Sequence, residues 1–323
     1  MKFLCICLSP AIDATVRMDA WPTDGCVIKN AVDTFAPGGK AVSVARWLAK
    51  RSLAVASGKQ AGGERREPPQ HLVACGGLLG EDNAAMFEKE LAKYGIEDRF
   101  VRIPGSTRVN EMFVTPQGSF KVNRPAFPGI TVGAAVPSGP QSFFNGFSFD
   151  DDCVVILSGS LPKDFPADYY RHIVEASKKM GAKVVLDTSG EALVEGVKAH
   201  PDVIKPNAEE CEPLIGFVPK TPEEFRRATA DLKVFCDYPI ISDGGAGCWF
   251  DGEFIAAPKV KVLDTTAAGD TLLAEWCWRK FGGLECLGGL EVGRWAVAAG
   301  SAACMMPGGE PPDIALVEKL AKV

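Results

Sequence analysis

Short apolar runs and amphipathic stretches alternate along most of the chain. Runs with the length of buried strands occur at 2–8, 154–157, 183–186, 203–204 and 240–241. Apolar residues at helical spacing occupy the stretches at 42–49, 169–180, 192–199 and 223–235. Strands that alternate with helices indicate right-handed βαβ units. The predicted fold class is therefore α/β, with a mostly parallel central sheet and helices on both faces.

Several stretches do not show this alternation of strands and helices. Residues 14–35 and 100–123 alternate in polarity with turn residues between, which predicts a small separate β-sheet that acts as a lid over one end of the main domain. A β-hairpin is predicted at 248–250 and 254–257 around Asp251-Gly252, and a further strand at 260–263. The segment 54–69 is polar and rich in Gly, Arg and Glu, so we expect an exposed loop insertion.

The composition and net charge of the chain limit the kinds of molecule that it is expected to bind. The 323 residues carry a formal net charge of -6, which disfavours a duplex nucleic-acid binder, and no apolar run is long enough to span a membrane. A few local Arg and Lys residues would still suffice to hold an anionic substrate. The 11 cysteines are unpatterned and the 3 histidines lie far apart, so zinc spacing is absent. Free thiols of this kind are typical of a cytoplasmic protein.

The most specific stretch for chemistry is 264–270. Small residues at a predicted strand-to-helix turn let backbone N–H groups approach an anion, and the helix dipole adds positive potential there. Asp270 beside such groups could accept a proton from an attacking hydroxyl while they stabilise a phosphoryl group. A second interpretation stays open, in which Asp270 only caps the helix.

A second glycine-rich turn precedes the first predicted helix. Gly38, Gly39 and Lys40 suit close approach of the backbone to a sugar or phosphate. The stretch matches neither the phosphate-loop motif nor the dinucleotide fingerprint. A tight turn with a surface lysine explains the same residues.

Two further motifs follow predicted buried strands. Asn207 and Glu210 after Lys205 share one helical face and offer oxygen ligands suited to Mg²⁺. Alternatively they only cap a helix start. The loop at 242–247 is glycine-rich and lies where open α/β sheets bind nucleotides, although a plain turn into the hairpin would look the same.

Arg108 and Arg124 lie in or beside the predicted lid. Two guanidinium groups could clamp a substrate phosphate in bidentate fashion. Taken singly, an arginine is usually a solvated surface charge.

Together these motifs resemble the ribokinase/PfkB carbohydrate kinases. Residues 264–270 resemble the family's D-T-x-G-A-G-D signature, and 38–46 resemble its G-G-K-G-x-N-V-A signature. Further matches cover nearly the whole chain outside 54–69. They lie at 9–13 (N-P-A-x-D), 107–110 (T-R-x-N), 158–162 and 187–193 (both similar to the phosphofructokinase branch), 205–210 (K-P-N-x-x-E) and 298–303 (a segment lining the adenine pocket).

The resemblance implies a single ribokinase-like kinase domain over 1–323, with a lid that often forms a homodimer contact. The implied reaction transfers the γ-phosphoryl group of ATP, with Mg²⁺, to a hydroxyl of a phosphorylated ketohexose. That branch of the family includes kinases of fructose 1-phosphate, tagatose 6-phosphate and fructose 6-phosphate. Asp270 is the implied base, and Ala267, Ala268 and Gly269 supply the implied anion hole.

The resemblance also implies the binding residues. Those for the sugar phosphate are Asp13, Gly38, Gly39, Lys40, Ser43, Arg108, Asn110, Arg124, Ser158 and Ser160. Those for ATP and Mg²⁺ are Lys205, Asn207, Glu210, Ser242, Gly244, Gly245, Gly247, Ala299 and Ser301, with Asn207 and Glu210 holding the metal through water. A monovalent cation such as K⁺ is implied near Asp264, Thr266 and Ala303.

Three residues depart from the family pattern. Ala41 and Ala267 replace glycines, and Ser43 replaces a sugar-binding asparagine. The methyl group of Ala267 predicts a negative φ at that position. These departures keep open the alternative of a catalytically weak sensor of sugar phosphates. A second alternative is a kinase for an unphosphorylated sugar or nucleoside, which would not need Arg108 and Arg124.

Overall fold

A computed structural model describes residues 1–25, 27–56, 71–127, 139–149, 152–282 and 288–322. The predicted insertion at 54–69 falls mainly on residues outside this description, and its first residues, 54–56, end the first helix. No helix in the described part of the chain is long and apolar enough to cross a membrane.

The strands are β1 (Lys2–Cys7), β2 (Ala11–Arg17), β3 (Val32–Gly38), β4 (Leu72–Gly80), β5 (Glu97–Ile103), β6 (Val109–Thr115), β7 (Gly118–Val122), β8 (Cys153–Ser158), β9 (Lys183–Asp187), β10 (Val203–Ile204), β11 (Tyr238–Asp243), β12 (Gly247–Phe250) and β13 (Glu253–Ala256). The α-helices are α1 (Lys40–Ala56), α2 (Ala85–Tyr94), α3 (Tyr169–Lys179), α4 (Gly190–Gly196), α5 (Glu212–Ile215), α6 (Pro222–Leu232), α7 (Ala268–Phe281), α8 (Gly289–Ala303) and α9 (Ile314–Ala321).

Within the described residues, the large sheet has nine strands in the order β13-β12-β11-β10-β9-β8-β1-β4-β5. Neighbours from β11 to β5 pair in parallel, while β12 and β13 form the predicted antiparallel hairpin. The turn residues Asp251 and Gly252 both have positive φ, at 50° and 83°, as a tight hairpin turn requires. The α/β fold class predicted from the sequence is confirmed.

Buried side chains form one apolar layer on each face of this sheet. Trp47 of α1 and Leu273 of α7 belong to one layer, together with buried residues of α8. Tyr170 of α3 and Phe225 of α6 belong to the other. Successive strand residues alternate between the two layers, because side chains along a strand point to opposite faces.

A second sheet, in which the described part of the chain forms four strands in the order β3-β2-β6-β7, lies apart from the first. It corresponds to the predicted small sheet, with corrected bounds. Residues 100–103 were assigned to it from the sequence, but they belong to β5 and pair with β4 in the large sheet. Alternating polarity at the edge of a large sheet looks the same as in a separate sheet. That the second sheet acts as a lid stays a prediction.

The predicted strand at 260–263 is wrong. No strand is assigned there, and Val262 and Leu263 are 56% and 62% exposed. The segment is tied instead to the end of α8, where the Leu263 N–H donates to the Cys304 carbonyl at 2.8 Å. Apolar runs of this length do not by themselves distinguish a buried strand from an extended connection.

Candidate active site

Polar residues collect where the parallel strands end. Ser158, Asp187 and Asp243 are the last residues of β8, β9 and β11, and Lys205 follows β10 directly. Because the carboxyl ends of parallel strands lie at one edge of a sheet, these residues lie along the edge where open α/β sheets bind ligands.

Helix α7 begins at this edge with Ala267 as its N-cap. The expectation of a negative φ at Ala267 is wrong: the residue is left-handed, with φ of 62°. This conformation costs a residue with a Cβ roughly 1–2 kcal/mol. The tertiary structure therefore holds the turn in a conformation that glycine would adopt more readily.

The first turn of α7 presents backbone donors. The Ala268 N–H donates to the Thr265 carbonyl at 3.3 Å, and the Thr271 N–H donates to the Ala267 carbonyl at 2.9 Å. Within the part of the chain that the structure describes, the N–H groups of Gly269 and Asp270 have no acceptor. Unpaired N–H groups at the start of a 14-residue helix fit an anion.

Asp270 lies on this turn and is 9% exposed. Burial and, to a smaller extent, the negative charge of Asp187 raise the pKa of its carboxyl to about 7, against the opposing effect of Lys40 and Lys205. A carboxyl group that titrates near neutral pH suits a general base. The cap interpretation receives no support, because Ala267 occupies the N-cap and Asp270 lies inside the helix.

Asp187 was given no role by sequence reasoning, although it joins the two lysines of the site. Its Oδ1 lies 3.3 Å from Lys40 Nζ and 3.2 Å from Lys205 Nζ. Burial raises the pKa of Asp187, but its ion pairs with Lys205 and Lys40 outweigh burial and lower it. A carboxylate that ends a buried strand was the signal that could have identified it.

Ser158 and Ser160 are placed differently around Asp187. Ser158 is fully buried and donates from its hydroxyl to Asp187 Oδ2 at 3.1 Å. Ser158 therefore stabilises the Asp187 carboxylate through the oxygen that the two lysines do not contact. Ser160 lies two residues further on and is exposed.

The turn before α1 lies against Asp13. A Cβ on Gly38 would overlap the Asp13 carboxylate, and a Cβ on Gly39, whose φ is 116°, would lie 2.8 Å from Cys7 Sγ. Asn110 Nδ2 is 3.5 Å from Asp13 Oδ1. Burial raises the pKa of Asp13, while Lys121 and Asn110 lower it. The structure thus brings together Asp13, Gly38, Gly39 and Asn110, as expected for one binding site.

Ser43 is buried one turn into α1 and accepts a hydrogen bond from Arg46 Nη2 at 3.3 Å. Arg46 is itself 3% exposed and pairs with Glu90 at 3.2 Å. Since the serine oxygen accepts from the guanidinium, its own proton remains available to donate to a ligand.

The two arginines predicted to clamp a phosphate both have partners in the protein. Arg108 donates from Nη1 to the Arg124 carbonyl at 2.8 Å, and also to the carbonyls of Pro10 and Ser9. Arg124 forms an ion pair with Glu111. The structure therefore does not show an open pair of guanidinium groups, and the arginine clamp stays a prediction.

The predicted nucleotide and magnesium residues lie at the ends of β10 and β11. Asn207 and Glu210 pair reciprocally: Glu210 Oε2 accepts from the Asn207 N–H at 2.9 Å, and Asn207 Oδ1 accepts from the Glu210 N–H at 2.8 Å. Ser242 lies beside Asn207 across a parallel bridge. A Cβ at Gly244 or Gly245 would meet open space. At Gly247 it would overlap the Ile255 carbonyl, so Gly247 is required by the hairpin.

Ala299, Ser301 and Ala303 lie on α8. Ala299 and Ala303 are fully buried and Ser301 is 8% exposed, so the alanine side chains do not reach the surface of a cleft. The Asp264 N–H donates to the Cys304 carbonyl at 3.2 Å, which brings Asp264 to the end of this helix. The Asp264 carboxylate accepts from the N–H groups of Thr266 and Gly308. Asp264, Thr266 and the end of α8 therefore do meet.

The chain is similar to known proteins over most of its length. The model of the pfkB family of carbohydrate kinases matches residues 8–274. The chain is 32% identical over 279 residues to the 1-phosphofructokinase of Rhodobacter capsulatus, covering 85% of this chain and 82% of that protein. It is 31% identical over 282 residues to the 1-phosphofructokinase of Vibrio cholerae, covering 86% and 82%.

The chain belongs to the pfkB carbohydrate kinase family. It is accordingly a sugar kinase, an enzyme that transfers a phosphoryl group to an alcohol. The fold agrees with a crystal structure of Escherichia coli phosphofructokinase-2 in complex with potassium, which superposes with a TM-score of 0.81 at 20% identity over 100% of this chain and 98% of that one. The ribokinase-like fold predicted from the sequence is confirmed.

Proposed function

We propose that this sugar kinase transfers the γ-phosphoryl group of ATP to a hydroxyl of a phosphorylated ketohexose, with Asp270 as the general base. The observation that carries the proposal is the burial of Asp270 beside the unpaired N–H groups that begin α7. The carboxylate accepts the hydroxyl proton as the oxygen attacks, and the N–H groups stabilise the charge on the phosphoryl group. Lys205 adds positive charge, since a Cβ on Gly269 would lie 3.5 Å from its Nζ.

The residues present fit ATP with Mg²⁺. Glu210 Oε1 has no hydrogen-bond partner among the described residues, and it lies beside Asn207 and Ser242 at the strand ends. Mg²⁺ bound there through water would neutralise phosphate charge. Gly244 and Gly245 leave room for a nucleotide above the loop. Ser301 remains a proposed contact beside the adenine.

The substrate side is proposed to consist of Asp13, Gly38, Gly39 and Asn110, which bind sugar hydroxyls, with Ser43 as a donor. Fructose 1-phosphate is the substrate to test first, because the curated relatives at about 30% identity are called 1-phosphofructokinases. Tagatose 6-phosphate and fructose 6-phosphate are the next acceptors, and the unphosphorylated sugars test the alternative of a neutral substrate.

A homodimer through the second sheet is also proposed. The face of this sheet that lies opposite Asp13 carries Phe35 and Phe120, which are 56% and 51% exposed, and Phe113 stacks on Phe120 at 4.9 Å. Exposed aromatic residues on a sheet face fit a second copy of the same face.

A potassium ion at Asp264 and Thr266 remains a proposal, as do a cytoplasmic location and the lid role of the sheet.

The test is ATP consumption against this panel of sugars by the native enzyme and by Asp270→Asn. We expect turnover of one phosphorylated ketohexose, and a loss of at least about 100-fold in kcat for Asp270→Asn with ATP binding retained. Undiminished turnover by Asp270→Asn would exclude the proposed base. A native protein that binds the sugar phosphates but consumes no ATP would be a sensor.

A further inference from the structure

Lys121 reaches the cleft from the second sheet. It lies on β7 opposite Met112 of β6, and the alternation along these strands places it on the same face as Asp13 and Asn110. Its Nζ is 3.4 Å from Thr266 Oγ1, on the loop that leads into α7. Asp13, Asn110, Lys121, Asp264, Thr266 and Gly308 line the pocket between this sheet and that loop.

The ammonium group of Lys121 is available for a ligand. Among the described residues it forms no ion pair with a carboxylate, and its one hydrogen bond is the long contact with Thr266. Arg108 and Arg124 differ, because three carbonyls hold the first and Glu111 pairs with the second. Lys121 is exposed and lines the pocket, and a cation without a carboxylate partner in that position favours an anion there.

The surroundings of Lys121 narrow the chemistry of that anion. The Asp13 carboxylate is close enough for Lys121 to lower its pKa against the effect of burial. Thr266 directly precedes the turn whose N–H groups face the proposed phosphoryl group. Lys121 therefore lies between the proposed sugar site and the proposed phosphoryl site. The anion expected at this position is a phosphate group.

We propose that Lys121 is a phosphate ligand of the closed cleft, delivered by the second sheet. The proposal rests on the proposed kinase function and adds a residue to that site. The phosphate belongs either to the sugar substrate or to the γ-phosphoryl group in transfer. In both cases the ammonium group exchanges its contact with Thr266 for phosphate oxygens, and this exchange ties the second sheet to the ligand.

The experiment is calorimetric titration of the full chain with fructose 1-phosphate and, separately, with a non-hydrolysable ATP analogue, followed by steady-state kinetics. The variants are Lys121→Met, Lys121→Arg and the matched control Lys89→Met, which removes a charge from an exposed position on α2. Loss of a charge-assisted contact should change Kd or kcat by about tenfold or more. Lys121→Arg should recover most of the loss, and Lys89→Met should behave as the native protein.

Each result described below either supports the proposal for Lys121 or overturns it. Weaker fructose 1-phosphate binding by Lys121→Met supports the proposal and assigns the sugar phosphate. Unchanged Kd values with a reduced kcat that arginine restores support it and assign the transferring phosphoryl group. Equal behaviour of Lys121→Met and the native enzyme, or equal losses in the Met and Arg variants, overturns it. A native protein that neither binds nor phosphorylates any sugar phosphate refutes the kinase assignment itself, which is a distinguishable result.

Discussion

Trp47 donates from its indole N–H to Glu275 Oε2 at 2.8 Å, which joins α1 to α7 inside the core. Glu275 is fully buried, and it also contacts Arg51 at 3.4 Å and Arg279 at 2.9 Å. The two helices joined in this way begin at Lys40 and at Ala268, on the two sides of the proposed site.

Glu275→Ala should lower the free energy of unfolding by about 3–5 kcal/mol, because the buried Arg51 would lose the charge of Glu275 and the Trp47 N–H would lose its acceptor. Chemical denaturation measures the change. Glu291→Ala is the matched control, since Glu291 is exposed on α8. Equal stability of the two variants would show that the buried cluster contributes nothing.

The activity should depend on the ionisation of Asp270. Its pKa is raised to about 7, and only the deprotonated carboxylate accepts a proton. We therefore expect kcat/KM to rise with pH through a midpoint near the pKa of about 7 and to level off at higher pH. Asp187→Asn removes a neighbouring negative charge, so it should move the midpoint to lower pH. A native midpoint below about 5 would contradict the assignment of Asp270 as the titrating base.

Ala267→Gly should stabilise the protein. The residue has a φ of 62°, and glycine adopts this conformation without the steric cost of a Cβ. We expect a gain of about 1 kcal/mol in the free energy of unfolding, with kcat not reduced. Ala268→Gly is the control, because Ala268 does not have a positive φ, so glycine relieves no strain there and should not stabilise the protein. If Ala267→Gly instead lowers the free energy of unfolding, the positive φ of Ala267 does not strain the folded protein.

His71 should make stability sensitive to acid. Burial lowers its pKa to about 4, and its ring lies 4.5 Å from Trp278 and 6.5 Å from Phe3. The unfolded chain then binds more protons than the folded chain between pH of about 6.5 and 4, so the free energy of unfolding falls as pH drops through that window.

His71→Phe removes this titration and preserves a ring at the position. Denaturation at pH 7 and pH 5 should show a smaller loss of stability in the variant than in the native protein. His172→Phe serves as control, since the His172 side chain is 47% exposed. An unchanged difference between the two pH values in His71→Phe would contradict the prediction.

Sequence patterns predicted the strands, helices and turns that depend on residues close together in the chain. The strand at β10, the helix of α3 and the hairpin at Asp251-Gly252 follow from periodicity and turn chemistry alone. The apolar run at 260–263 failed as a strand because strand formation needs a partner, and the run lies against the end of α8 instead. Whether residues 100–103 pair with the large or the small sheet is equally a matter of long-range contacts.

The sequence by itself determined the α/β order, the glycine turn at Gly38-Gly39 and the presence of a carboxylate at the start of α7. These depend on residues that are neighbours along the chain. Only the tertiary structure decided that Asp187 holds Lys40 and Lys205, that carbonyls hold Arg108, and that Lys121 faces Thr266. Those contacts join residues far apart in the chain, and their geometry is set by which strand ends and sheets come together.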